Sequence, residues 1–82
     1  MKVTVYSTTT CPYCTMVKKW LEEKKVEFEE VLVDRDPNRA QEMVQLSGQM
    51  GVPFTYVTDD AGKSQGVLGY DVPTLSRVLG VG

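Results

Sequence analysis

Val3-Thr4-Val5-Tyr6, then the loop Ser7–Thr10, then Cys11-Pro12-Tyr13-Cys14: this is the stretch that decides the fold. It contains the only 2 cysteines of the 82 residues, set between a β-prone apolar run and a helical pattern. That pattern places Met16, Val17, Trp20 and Leu21 on a core-facing side, with Lys18, Lys19, Glu22 and Glu23 opposite. A Cys-x-x-Cys at a strand-to-helix junction reads as a dithiol/disulfide redox centre. In the first turn of a helix, residues i and i+3 share a face. Their Cα atoms then fall within the roughly 4.4–6.8 Å that a disulfide spans. The first sulfur faces the unpaired N–H groups and positive end of the helix. A free thiol, with a pKa of about 8.5, is mostly protonated at pH 7, whereas the thiolate is the nucleophile. Lowering that pKa by two units corresponds to about 2.7 kcal/mol of thiolate stabilisation. Cys11 is therefore the expected attacking thiolate and Cys14, one turn inside, the resolving thiol. Pro12 suits the first helical turn, where its missing N–H costs little.

Composition narrows the function classes. Hydrophobic residues are 41% and charged residues 24%, with a net charge of −2, the profile of one small globular domain over 1–82. That charge gives no electrostatic case for a nucleic-acid partner. No apolar stretch approaches the ~18 residues of a membrane span. Met1-Lys2-Val3 opens directly into a strand without a signal or transit pattern. A cytoplasmic location is expected, where a catalytic disulfide is ordinary and a structural one is not.

Outward from the dithiol, Lys2–Tyr6 is expected as a central strand and Thr10 as the N-cap of a helix from Pro12 to Glu23 or Lys24. Val26–Val33 reads as the second strand, parallel to the first through a helical crossover. Asp36-Pro37 starts a helix whose inner face is Ala40, Met43, Val44 and Ser47, and Gly48 stops it. Gly51-Val52-Pro53 introduces a third strand, Phe54–Thr58, and Asp59–Gly62 turns the chain into a fourth, Lys63–Leu68. Gly69-Tyr70-Asp71 leads into a last helix with Val72, Leu75, Val78 and Leu79 inward. The order is β-α-β-α-β-β-α.

With that order, Cys11-Pro12-Tyr13-Cys14, Val52-Pro53 and Gly69-Tyr70-Asp71 resemble the three landmarks of the glutaredoxins, within the thioredoxin superfamily. The resemblance implies an α/β thioredoxin fold, a four-stranded mixed sheet with helices on both faces. It also implies a cis Pro53 facing the dithiol, with the backbone of Val52 pairing to substrate like an added strand. Pro12, Tyr13, Val52, Pro53, Gly69, Tyr70, Asp71 and Thr8 become the substrate- or glutathione-binding set beside catalytic Cys11 and Cys14. No bound cofactor is implied. Glutathione is the implied reductant or co-substrate, and disulfide-containing proteins are the clients of a monomer. The chain is also similar to the small glutaredoxin-like redoxins that serve ribonucleotide reductase and are recharged by thioredoxin reductase. Both electron sources stay open.

Three positions depart from the glutaredoxin pattern. Thr8 stands where many members carry a Lys that helps hold a glutathione carboxylate. Gly51 replaces the Thr of Thr-Val-Pro, and Asp71-Val72 lacks a second carboxylate for the glutathione amine. Some residues carry two readings. Tyr13 is a substrate platform or a solvent-facing spacer, and Asp71 is a helix cap alone or a cap that also meets the amine. Lys18 and Lys19 read as a solvated helix face. Two cysteines without histidine cannot close a zinc site, so a metal or iron–sulfur carrier needs glutathione or a second chain to complete it.

Overall fold

A computed structural model describes residues 1–81 of the chain; Gly82 of the expected domain lies outside the described residues. Strand β1 (Lys2–Ser7) is the pivot, with every residue from Val3 to Ser7 buried. Such continuous burial belongs to a strand covered on both faces. It is flanked by β2 (Glu29–Leu32), parallel, and by β3 (Phe54–Thr58), antiparallel. Antiparallel β4 (Ser64–Leu68) completes a mixed sheet in the order β2-β1-β3-β4.

Strand alternation sorts the core into two layers. On one face, Val3, Val5, Val57 and Val67 pack with Val17, Trp20 and Leu21 of helix α1 (Pro12–Glu23). Leu75 and Leu79 of helix α3 (Val72–Leu79) join the same cluster. On the other face, Tyr6, Val31 and Phe54 pack with Met43 of helix α2 (Pro37–Ser47). The result is the expected thioredoxin fold, with α1 and α3 on one side and α2 on the other.

Local chemistry ends the elements where the residues indicate. Asp36 caps α2, its carboxylate accepting the Arg39 N–H at 3.2 Å, and Pro37 follows in the first turn. Gly48 closes that helix at φ 73°, a left-handed position that glycine adopts without a Cβ penalty. In the β3–β4 turn, the Asp59 carboxylate accepts the N–H groups of Ala61 and Lys63, both at 2.9 Å.

Two expectations need correction. The second strand does not span Val26–Val33 but pairs only over Glu29–Leu32. Lys25 turns the chain at φ 58°, and the Val26 N–H is taken by the Leu21 carbonyl at 2.9 Å, leaving it no place in the ladder. Val26 and Phe28 still pack against the core, which explains their apolar alternation. Met16 is not a core residue: it is 43% exposed, at the edge of the apolar stripe of α1, whereas Val17, Trp20 and Leu21 are buried.

Candidate redox site

Register brings three loops to one end of the sheet. β1 leaves that end through Ser7 toward Cys11. Phe54, which opens β3, pairs with Tyr6 on one side and with Leu68 on the other. Val52-Pro53 therefore enters, and Gly69-Tyr70-Asp71 leaves, where the dithiol helix begins.

Cys11 is itself the N-cap of α1, in extended conformation, and its Sγ accepts the Cys14 N–H at 3.1 Å. This corrects the expectation for Thr10, which is exposed and outside the helix. The cap is the last extended residue, and here its polarisable sulfur performs the task usually given to a hydroxyl or carboxylate. Cys11 and Cys14 form a disulfide with their Cα atoms 5.2 Å apart. Cys14 is 1% exposed, while Cys11 is only partly covered. The first turn of α1 carries no acidic residue, so no carboxylate competes for its positive end. An anion at such a helix end gains typically 0.3–1 kcal/mol and up to ~2 when partly buried. An N–H donated to the sulfur adds in the same direction, because hydrogen bonds to the charged form favour that form.

The other expected site residues lie in or beside the three loops at this end of the sheet. Pro12 occupies the first helical turn and Tyr13 is 61% exposed, open to either reading of its role. The Val52–Pro53 peptide is cis, Pro53 is fully buried, and the Gly69 N–H donates to the Pro53 carbonyl at 2.8 Å. Gly69 itself sits at φ 81°. Tyr70 joins Met16, Lys19, Trp20 and Glu23 around a shallow hollow of about 270 Å³ beside α1. Asp71 caps α3, accepting the Thr74 N–H at 3.3 Å and the Thr74 hydroxyl at 2.7 Å. Thr8 is partly buried, and no hydrogen bond among the described residues engages its hydroxyl.

Further polar contacts support the loop without any signal in local sequence. The backbone N–H and hydroxyl of Thr9 both donate to Asp34 Oδ2, at 3.1 and 2.6 Å. These bonds hold the Asp34 carboxyl below the usual carboxylate range, the hydroxyl first and the N–H second. Lys18, on the helix face expected to be solvated, pairs with Glu30. The buried Ser7 hydroxyl donates to the same Glu30 oxygen at 3.3 Å, so this carboxylate joins β1, β2 and α1 beside the dithiol loop. The partners stand 12 to 25 residues apart, and only the fold brings them together. Among the described residues, no three His, Cys, Asp or Glu side chains are grouped to hold a metal ion, and no helix is long and apolar enough to cross a membrane.

Comparison with known proteins agrees with this geometry. A curated glutaredoxin of Neisseria meningitidis is 45% identical over 56 residues, covering 67% of this chain and 66% of the relative. An uncharacterised glutaredoxin-like 8.6 kDa protein of Clostridium pasteurianum is 43% identical over 51 residues, covering 62% of this chain and 68% of that one. The matches thus span about two thirds of the relatives' length. Among solved structures, the NrdH-redoxin of Escherichia coli superposes with a TM-score of 0.75 at 26% identity, covering 95% of each chain. The glutaredoxin of Archaeoglobus fulgidus gives 0.81 at 26% identity, covering 95% of this chain and 85% of that one. The family model described as glutaredoxin matches residues 3–61, from the first strand through the dithiol and the cis-proline loop. Matched by that family model over most of its length and by solved glutaredoxin and NrdH-redoxin structures over 95% of it, the chain, with its cysteine pair at the head of α1, belongs to the glutaredoxin family.

Proposed function

We propose that the protein is a thiol–disulfide oxidoreductase that reduces protein disulfides or glutathione mixed disulfides through Cys11 and Cys14. One observation carries the assignment of roles: the partly exposed Cys11 sulfur caps the helix, while Cys14 is buried beneath it. Cys11 thiolate attacks one sulfur of the substrate disulfide, forming a mixed disulfide and releasing the other sulfur as a thiolate that takes a proton from solvent. Cys14 then gives up its proton and attacks Cys11 Sγ. The Cys11–Cys14 bond forms, the mixed disulfide breaks, and the second substrate thiol leaves. The substrate gains two electrons and two protons: the protein supplies both electrons and the Cys14 proton, and solvent supplies the other proton. With a glutathione mixed disulfide, Cys11 alone can complete a cycle, with a second glutathione as resolving thiol.

Thr8 supports a reading of the electron source. A neutral hydroxyl at this position cannot replace a lysine ammonium, and charge-assisted contacts are roughly twice as strong as neutral ones. The loss of one such contact costs on the order of 1–2 kcal/mol, or about tenfold in affinity. Glutathione therefore supports weak turnover, with Val52 and Gly69–Asp71 holding the tripeptide, and thioredoxin reductase is the stronger donor. The E. coli NrdH-redoxin, described as having a thioredoxin-like activity profile, is consistent with this reading. The test recycles the oxidised protein with glutathione plus glutathione reductase, or with NADPH plus thioredoxin reductase, for wild type and Thr8→Lys. Faster recycling by thioredoxin reductase is expected, with a gain of about tenfold in the glutathione arm for the lysine variant. A wild type already fast with glutathione and unmoved by Thr8→Lys overturns the argument from Thr8.

A further inference from the structure

The loop before cis-Pro53 is held by a side chain that takes no part in the chemistry above. Gln49 follows the left-handed Gly48 that ends α2, and its amide folds onto the backbone two residues ahead. Its Oε1 accepts the Gly51 N–H, and its Nε2 donates to the Gly51 carbonyl at 3.2 Å. One primary amide thus takes up both backbone groups of a single residue, as a neighbouring strand would. The Gln49 end is itself anchored: its N–H donates to Ser47 Oγ at 3.3 Å, and that hydroxyl donates to the Met43 carbonyl at 2.7 Å. Met43 is the buried residue of α2.

Gly51 is the complement of this clamp. A Cβ at position 51 would stand 2.5 Å from Gln49 Oε1 and 3.6 Å from Leu68 Cδ1. Any larger residue there displaces the glutamine side chain. Beyond the clamp, no hydrogen bond among the described residues takes up the N–H or C=O of Val52. The next peptide is fixed again, through Pro53 and Gly69. A single residue with free backbone groups is therefore held between two fixed neighbours.

We infer that Gln49 is a positioning residue: by occupying both backbone groups of Gly51, it fixes the Val52 peptide as the one open rung that a substrate's own backbone pairs with. The inference rests on the oxidoreductase reading above. It limits the favoured substrates to disulfides carried on a peptide backbone, because a small disulfide without amides has nothing to place on that rung.

The experiment compares single-turnover reduction of oxidised glutathione, which carries peptide groups, with that of bis(2-hydroxyethyl) disulfide, which carries none. Reduced wild type, Gln49→Ala, Gln49→Glu, Gly51→Ala and the Gln49→Ala/Gly51→Ala double variant are used. Gln49→Ala should slow oxidised glutathione roughly five- to tenfold, the effect of about one hydrogen bond's worth of lost preorganisation. It should leave bis(2-hydroxyethyl) disulfide within about twofold, since the reactive sulfur is untouched. Gln49→Glu, which still accepts the Gly51 N–H, should recover part of the loss. Gly51→Ala should mimic Gln49→Ala, with little further effect in the double variant. Exchange of the Gly51 amide proton, followed by NMR, should accelerate in Gln49→Ala. An equal loss on both disulfides would show a general structural defect and overturn the inference, as would no loss on either. If wild type reduces neither disulfide, the proposed function fails, and unchanged Gly51 exchange in Gln49→Ala then overturns the clamp by itself.

Discussion

Gly66→Ala is the substitution whose cost the structure defines most sharply. Gly66 lies on β4 opposite Tyr56, and a Cβ built there would stand 2.5 Å from both Cε1 and Cζ of Phe54. Ordinary carbon contacts lie near 3.5–4.0 Å, so about 1 Å of movement is required. The Phe54 ring cannot swing away freely: it is buried between Tyr6 and Tyr56, with ring centroids 6.0 and 6.1 Å away. Overpacking of this kind costs typically 1–3 kcal/mol. Against it stands a gain of roughly 0.4–1 kcal/mol from restricting the unfolded chain, because Gly66 is not at a positive φ. The net is a destabilisation on the order of 1–2 kcal/mol. Urea unfolding of the oxidised protein measures it, through a lower midpoint at an unchanged slope. Shrinking the ring should relieve the clash, so Phe54→Leu and Gly66→Ala together should cost less than the sum of the two alone. A Gly66→Ala protein as stable as wild type, or strictly additive costs, would refute the reasoning.

Asp71→Ala removes the cap of α3 and should lower stability by about 1 kcal/mol, while Asp71→Asn should retain most of it; thermal unfolding followed by circular dichroism decides. The Thr9–Asp34 contact should be pH-dependent: because the folded-state carboxyl lies below its ordinary value, its contribution is full above the ordinary carboxylate range and is lost as pH falls through the folded value. The Thr9 amide should therefore lose protection from exchange on acidification below about pH 4, and Thr9→Val should weaken that protection already at neutral pH.

How much of this was legible without coordinates depends on the range of the interaction. Asp36, Pro37 and Gly48 announce α2 because caps act within a turn, and Asp59–Gly62 announces the hairpin for the same reason. The dithiol, Val52-Pro53 and Gly69-Tyr70-Asp71 were recognisable as landmarks by family likeness. Three features were not. Cys11 displaces Thr10 as the cap because capping preferences favour hydroxyls and carboxylates, and sulfur fills the role only at this junction. Val26 and Phe28 mimic a strand because packing against the core imposes the same alternation as pairing does. Asp34, Glu30 and Gln49 gave no signal as candidates, since an acid or amide acquires meaning only from what the fold sets against it.

The central claim is that Cys11 is the nucleophile and Cys14 the buried resolving thiol. Its most direct test is the rate of iodoacetamide alkylation of the fully reduced protein at pH 6, resolved by site with mass spectrometry. The helix N-terminus and the Cys14 N–H aimed at Cys11 Sγ, with Cys14 1% exposed, predict that Cys11 is labelled first and Cys14 only slowly. Labelling of Cys14 ahead of Cys11 would contradict the account.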